Sequence, residues 1–316
     1  MNHMVEDGGP IWETIFSLQH RADASRPWLE LRCDKDMWLF LAKFVDEIDN
    51  VPFLDENDHD FLFRGQSDSR WTLKPKLLRL WDKVCVRSTH EERVKQAALG
   101  QEYDSLHFFQ KRVGCADTFY QSLDRKLSLH TYCEWLAAMQ HYSAPTRLLD
   151  WSTSFYVALY FAVADDSVDG AVWILDAQAV RRREDKLIEK TGLTADTIND
   201  ALACHKSYVE FGLRVAPLME IVSNSYKTDR MIAQGSVFTI SYQLFLDHAF
   251  VGLPLEEQAL PLTKLVIPAN AKRSIRRRLS KINVFADVLF PGLDGIGRTV
   301  YERMAVYVDR FEEEFE

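Results

Sequence analysis

A chain of 316 residues that is 47% hydrophobic, with 8 Trp and 19 Phe, can bury a large core and is not a disordered segment. Its formal net charge of −9 argues against bulk electrostatic attraction to nucleic acid and leaves such binding to a local basic face. Five scattered cysteines without a CxxC pair support neither a disulfide framework nor a zinc ribbon, and no apolar run approaches the ~20 residues of a membrane span.

The opening MNHMVEDGGP lacks a cationic start and an apolar stretch, so no signal peptide is expected and the protein is expected to be cytoplasmic. Residues 1–30 read as a loosely ordered segment with one short helix around 11–18. Met37, Trp38, Leu41, Phe44, Val45 and Ile48 fall on one face of a helix over 34–48. An acidic turn at 55–60 leads into a short strand, FLFRGQ, at 61–66. Helical patterns cover 91–112 and 129–140. Ser143, Ala144 and Pro145 then break regular structure. Asp150, Ser152, Thr153 and Ser154 are candidate N-caps for a buried helix beginning at Phe155. The N-terminus of that helix, with its amides and positive dipole end, is the expected place for an anionic ligand. GAVWILD at 170–176 is a strand, 181–190 an exposed charged helix, and 235–242 and 262–267 two further strands. Asn270 is the expected cap of a basic helix through Lys281, and 311–316 is an acidic tail. With no repeat or linker, 31–310 reads as one domain, and the irregular strand spacing favours α+β.

Several residues carry candidate chemistry. Arg64 presents a planar fork suited to phosphate or carboxylate, and Gly65 beside it permits close backbone approach. The alternative is an Arg paired with a structural acid beside a turn glycine. His141 is a candidate proton carrier or core histidine. Arg147 and Asp150, three apart, could pair with each other. Ser152 lacks a G-x-S-x-G elbow, which argues against a hydrolase triad. His107, His130, His141 and Cys133 lack metal-ligand spacing, so no metal is expected. Lys272, Arg273, Arg276, Arg277 and Arg278 form the one dense basic cluster, a candidate contact for nucleic acid or simply a solvated face.

Taken together, FRGQ at 63–66, QH at 140–141, TRLLDWSTS at 146–154 and ALYFA at 158–162 resemble the FRG-domain family, named for its Phe-Arg-Gly motif. GAVWILD at 170–176, QGSVFTI at 234–240 and LFPGLDGI at 289–296 extend the resemblance to most of the chain. More remotely, the order of motifs is similar to ADP-ribosyltransferases of the Arg-Ser-Glu type. Phe63-Arg64-Gly65 stands for the aromatic-Arg-Gly strand, Ser152-Thr153-Ser154 for the Ser-Thr-Ser strand, and Ala158 with Phe161 for the Ala-x-x-Phe helix. That resemblance implies split sheets around a cleft, with Arg64 and Ser152–Ser154 facing it, Trp151 in its wall and helices packed outside. It implies NAD as substrate, held by Arg64 with Gly65, Gln66, His141, Arg147, Ser152, Thr153, Ser154 and Tyr156 as binding residues. Arg64, Ser152 and Gln234 take the catalytic positions. Gln234 stands where such enzymes carry the catalytic glutamate, with Asp150, Glu210 and Glu220 as substitute acids. The implied activity is transfer of ADP-ribose to a nucleic acid or protein, in a toxin or phage-defence effector held by a regulatory partner. The alternatives are a non-catalytic nucleotide- or RNA-binding module and a structural subunit.

Overall fold

The computed structural model describes residues 3–4, 28–32, 37–49, 61–85, 88–113, 123–124, 126–225, 227–251 and 262–315. The helix expected at 11–18 and the acidic turn at 55–60 lie outside them. In chain order the first elements are β1 (His3–Met4), β2 (Leu29–Arg32), α1 (Met37–Asp49), β3 (Phe61–Gln66), α2 (Lys76–Cys85), α3 (Glu91–Val113), α4 (Leu129–His141), β4 (Leu148–Ser152) and α5 (Phe155–Ala162). Then come β5 (Gly170–Asp176), α6 (Ala177–Thr191), α7 (Ala195–Leu202), α8 (His205–Arg214), β6 (Met219–Val222), α9 (Asp229–Ala233) and β7 (Ser236–Ser241). The last are α10 (His248–Val251), β8 (Leu262–Ile267), α11 (Ala269–Lys281), α12 (Ala286–Leu289) and α13 (Leu293–Phe315).

The strands form one mixed sheet in the order β1-β2-β8-β5-β3-β4-β7-β6, so the fold is α+β. β1, β2 and β8 run parallel, and every other neighbouring pair is antiparallel. The β3–β5 ladder runs from Phe61↔Asp176 to Gln66↔Ala171, and the β4–β7 ladder from Leu148↔Ile240 to Ser152↔Ser236. Between these two ladders, β3 and β4 share a single pair, Phe63↔Ser152. This corrects the expectation of two separate small sheets: the sheet is continuous, but its halves are joined through one residue pair.

Alternation along the strands places different cores on the two faces. Phe63, Val172, Ile174 and Leu265 pack with Phe44 of α1, Leu159 of α5 and Ile275 of α11. Leu62, Trp173, Leu175, Leu149 and Trp151 pack with Val180 of α6 on the other face. A third, largely helical core gathers Leu99 and Leu106 of α3, Trp135 and Leu136 of α4, Leu202 of α7 and Tyr208 of α8. Helix starts follow side-chain capping: Ser128 and Thr131 form a capping box on α4, Ser154 caps α5 and Asp176 caps α6. Asn270 is not a cap. It lies inside α11, whose first amide, from Ala269, donates instead to Asp169 Oδ1 at 2.9 Å. Nor is the helix over 181–190 exposed on all sides, since Arg183 and Glu184 are buried. α13 continues as helix to Phe315. Among the described residues no helix is long and apolar enough to cross a membrane.

Candidate functional site

The opening beside Phe63↔Ser152 is where the candidate residues converge. Two adjoining cavities of ≈220 and ≈200 Å³ share Arg64, Asp150, Arg230, Gln234 and Ser236 as lining. Arg64 follows the last shared pair on β3 and bridges the strands where their ladder stops. Its Nη1 donates to the Asp150 carbonyl at 2.6 Å and lies 3.6 Å from the Asp150 carboxylate. The side chain is 16% exposed and its buried Nε has no hydrogen-bond partner. Burial pulls this guanidinium below its ordinary pKa, an effect Asp150 opposes and Arg79 reinforces.

Ser152 and Gln234 meet at the end of β4. Ser152 Oγ donates to the Gln234 carbonyl at 2.7 Å and accepts the Ser154 amide at 3.0 Å. Gly235 makes the turn from α9 into β7 with a left-handed φ of 54°. Its carbonyl accepts the Thr153 amide, so the Ser-Thr-Ser segment is stitched to the α9–β7 turn. The Gln234 side chain lines both cavities, and its Nε2 donates to the Leu289 carbonyl at 2.9 Å.

The charge of the cleft opposes that of the whole chain. Lys76, Arg79, Arg64 and Arg230 line it, with Asp150 as its one carboxylate among the described lining residues. Lys76 Nζ donates to the Ser143 carbonyl at 2.5 Å and Arg79 Nη1 to that of Lys74 at 3.1 Å, which seats α2 against the turn before β4. Arg230 lies 4.7 Å over the Phe290 ring, and burial lowers its pKa against the pull of Asp150. His141 is half-buried on the same rim, where burial first and Arg230 second push its pKa down. Gln140 Nε2 holds Asp150 Oδ1 at 2.7 Å. A cleft with four cations and one acid is built to take an anion.

Other expected binding residues are placed elsewhere. Arg147 is fully enclosed: it forms a bidentate pair with Glu102, and its Nη2 also donates to the Tyr208 hydroxyl and its Nη1 to the Tyr242 carbonyl. Burial would depress its pKa, yet the Glu102 carboxylate holds it well above the ordinary value. Its role is to clamp β4 to α3 and α8. Gln66 is buried, donating to the Thr72 carbonyl and accepting from Trp173 Nε1. Gly65 lines the cleft, but its missing side chain serves packing: a Cβ there would overlap the Ala158 carbonyl of α5. Tyr156 packs on the α1–α5 core, and Thr153 and Ser154 do not line either cavity. At the start of α5, Ser154 Oγ accepts the Val157 amide and Ser152 Oγ the Ser154 amide. Trp151 does line the smaller cavity, its Nε1 donating to Thr239 Oγ1. Of the substitute acids, Asp150 is at the cleft, whereas Glu210 faces Lys206 and Glu220 accepts from Tyr242.

The basic helix α11 is partly consumed by the fold. Lys272 is completely buried, donating to the carbonyls of Ser67 and Asp165, so it is withdrawn from any surface offered to nucleic acid. Arg273 pairs with Asp166, Arg276 donates to the Val163 carbonyl and Arg278 lies over Trp38. Arg277 lies on the same helix.

Lys76, Arg79 and Arg230 are the site residues that sequence reasoning missed. The apolar spacing of Leu77, Leu78 and Trp81 would have marked α2 as a helix with Lys76 and Arg79 one turn apart. Thr228, an N-cap type two residues before Arg230, would have marked α9.

No curated protein and no solved structure matches the chain. Residues 59–170 match the family model of the FRG domain, a span holding Arg64, Lys76, Arg79, His141, Asp150 and Ser152 but neither Arg230 nor Gln234. Most of the cleft is thus built from the segment of the chain that matches the FRG domain.

Proposed function

We propose that the cleft binds NAD and that the protein transfers the ADP-ribose of NAD to a macromolecular acceptor. The observation that carries this is the convergence of Arg64, Ser152 and Gln234, from β3, β4 and the entry to β7, on one cationic cleft. Arg64, Lys76, Arg79 and Arg230 would meet the two phosphates through charge-assisted hydrogen bonds. In the reaction the bond from ribose C1′ to the nicotinamide nitrogen breaks, its electron pair leaving with nicotinamide. The acceptor's oxygen or nitrogen bonds to C1′ and loses its proton. Asp150 is the carboxylate at hand to stabilise the ribosyl cation and take that proton. Uncontrolled, such an activity drains the cell's NAD, which suits a toxin or defence effector under a partner's restraint.

A second reading is favoured by Gln234 itself. Its amide is engaged with Leu289 and carries no charge, which suits a nucleotide-binding module without turnover. Incubation with NAD labelled in the adenylate, with cell extract and RNA as acceptors, separates the two. Label in one macromolecular fraction, with free nicotinamide released and both lost in Arg64→Ala and Asp150→Asn, supports transfer. Intact NAD bound with a measurable Kd supports the binding module. Absence of binding overturns both.

A further inference from the structure

A cavity of ≈450 Å³ lies between α6, α7 and the edge strand β6, and it shares no lining residue with the cleft. Its volume is in the range of small-molecule sites. The wall is largely aliphatic, with Val180, Ile188, Leu193, Ile198 and Leu218. Set into it are the carboxylates of Glu184, Asp185 and Glu220, against one cationic side chain, Arg181.

Glu184 is 8% exposed, yet its Oε2 has no hydrogen-bond partner, while its Oε1 accepts from Arg183. A buried carboxylate oxygen left unpaired is costly and marks an unfilled requirement for a donor. Glu220 Oε2, on the same cavity, accepts from the Tyr242 hydroxyl at 2.5 Å and retains capacity for further donors. Burial foremost pushes the Glu184 carboxyl up to about 7, against the pull of the Arg183 charge and a Met219 amide, with the Glu220 charge adding to the rise.

The chemistry of the lining selects the ligand. An anion would meet three carboxylates. A neutral apolar molecule would leave Glu184 Oε2 unpaired. A hard metal ion needs several oxygens, and among the described residues no group of three or more His, Cys, Asp or Glu side chains is placed to hold one. We propose that this cavity is a binding site for a small organic cation, an alkylammonium or alkylguanidinium ion. Its N–H groups donate to Glu184 and Glu220, and its hydrocarbon body lies along Val180, Leu193, Ile198 and Leu218. The site is independent of the NAD cleft and of its function.

The test titrates the full chain with n-butylammonium and n-butylguanidinium, with 1-butanol as the neutral control, following isoleucine and leucine methyl resonances and heats of binding. The expected result is saturable binding of at least one cation, shifts at Ile188, Leu193 and Ile198, and affinity weakened at least tenfold in Glu184→Gln and Glu220→Gln. Ile188→Trp, at a position 41% exposed on the cavity, blocks the site without removing an ion pair. It is expected to abolish binding even where a Gln variant fails to fold. Failure of both cations to saturate, equal binding of butanol, or full affinity in a folded Glu184→Gln or Ile188→Trp chain would overturn the proposal.

Discussion

Arg64 Nη1 reaches across the break between β3 and β4 to the main-chain carbonyl of Asp150, 2.6 Å away. A guanidinium held by a neighbouring strand is already oriented before any ligand arrives, so less ordering entropy is lost on binding. Its Nε remains a buried donor without a partner.

Arg64→Ala is therefore expected to weaken nucleotide binding by about 1.5–3 kcal/mol, the range for one charge-assisted hydrogen bond, or ~10–100-fold in Kd. Stability should change little. Calorimetric titration with NAD alongside urea unfolding checks both, and a stability loss matching the binding loss would contradict a ligand-directed role.

Gly65→Ala is expected to do the reverse. The new Cβ would collide with the Ala158 carbonyl and press on the Ala162 amide, both main-chain atoms of α5 that cannot rotate aside. Overpacking of this kind costs about 1–3 kcal/mol and more where backbone must move. The urea midpoint should fall accordingly, while Arg64 and its chemistry are untouched in whatever fraction stays folded.

Removing one partner of the enclosed Arg147–Glu102 pair leaves the other as a buried, uncompensated charge. Arg147→Ala should cost about 3–5 kcal/mol. Were Arg147 a ligand residue, the variant would instead fold normally and lose nucleotide affinity. Thermal unfolding and calorimetry on the same sample distinguish these outcomes.

His248 supplies a pH prediction. Burial, aided by Arg64 and Arg147, pushes its imidazole down to about 3 from 6.5. The unfolded chain then binds more protons than the folded one between those values. Its stabilising contribution is full above about pH 6.5 and is lost on acidification, at about 1.4 kcal/mol per pH unit. His248→Gln should flatten that slope between pH 4 and 6.5 in urea titrations. An unchanged slope would place the responsible proton elsewhere.

Legibility in the sequence tracked the strength of local signal. FLFRGQ, GAVWILD and the strand at 262–267 are apolar runs bounded by turn residues, and each forms the strand expected of it. β4 was hidden because Leu148–Ser152 sits among Pro, Thr, Asp and Ser, whose turn chemistry outweighs the apolar Leu148, Leu149 and Trp151. Motif order points to Arg64, Ser152 and Gln234, and these three line one cavity. The carboxylate partner of Arg147 lies 45 residues away in sequence, and spacing cannot distinguish a distant ion pair from a ligand contact. Lys76 and Arg79 were missed with the helix that carries them.

Gly65 tucked beneath Ala158, and Phe63 edge-on to Phe155 at 5.5 Å, divide the labour within a three-letter signature. Two letters pack against α5 and the third reaches across to the Asp150 carbonyl. Mutation is expected to have unequal reach across them: a change at 63 or 65 threatens the scaffold itself, whereas under the proposed function a change at 64 alters what the folded chain can hold.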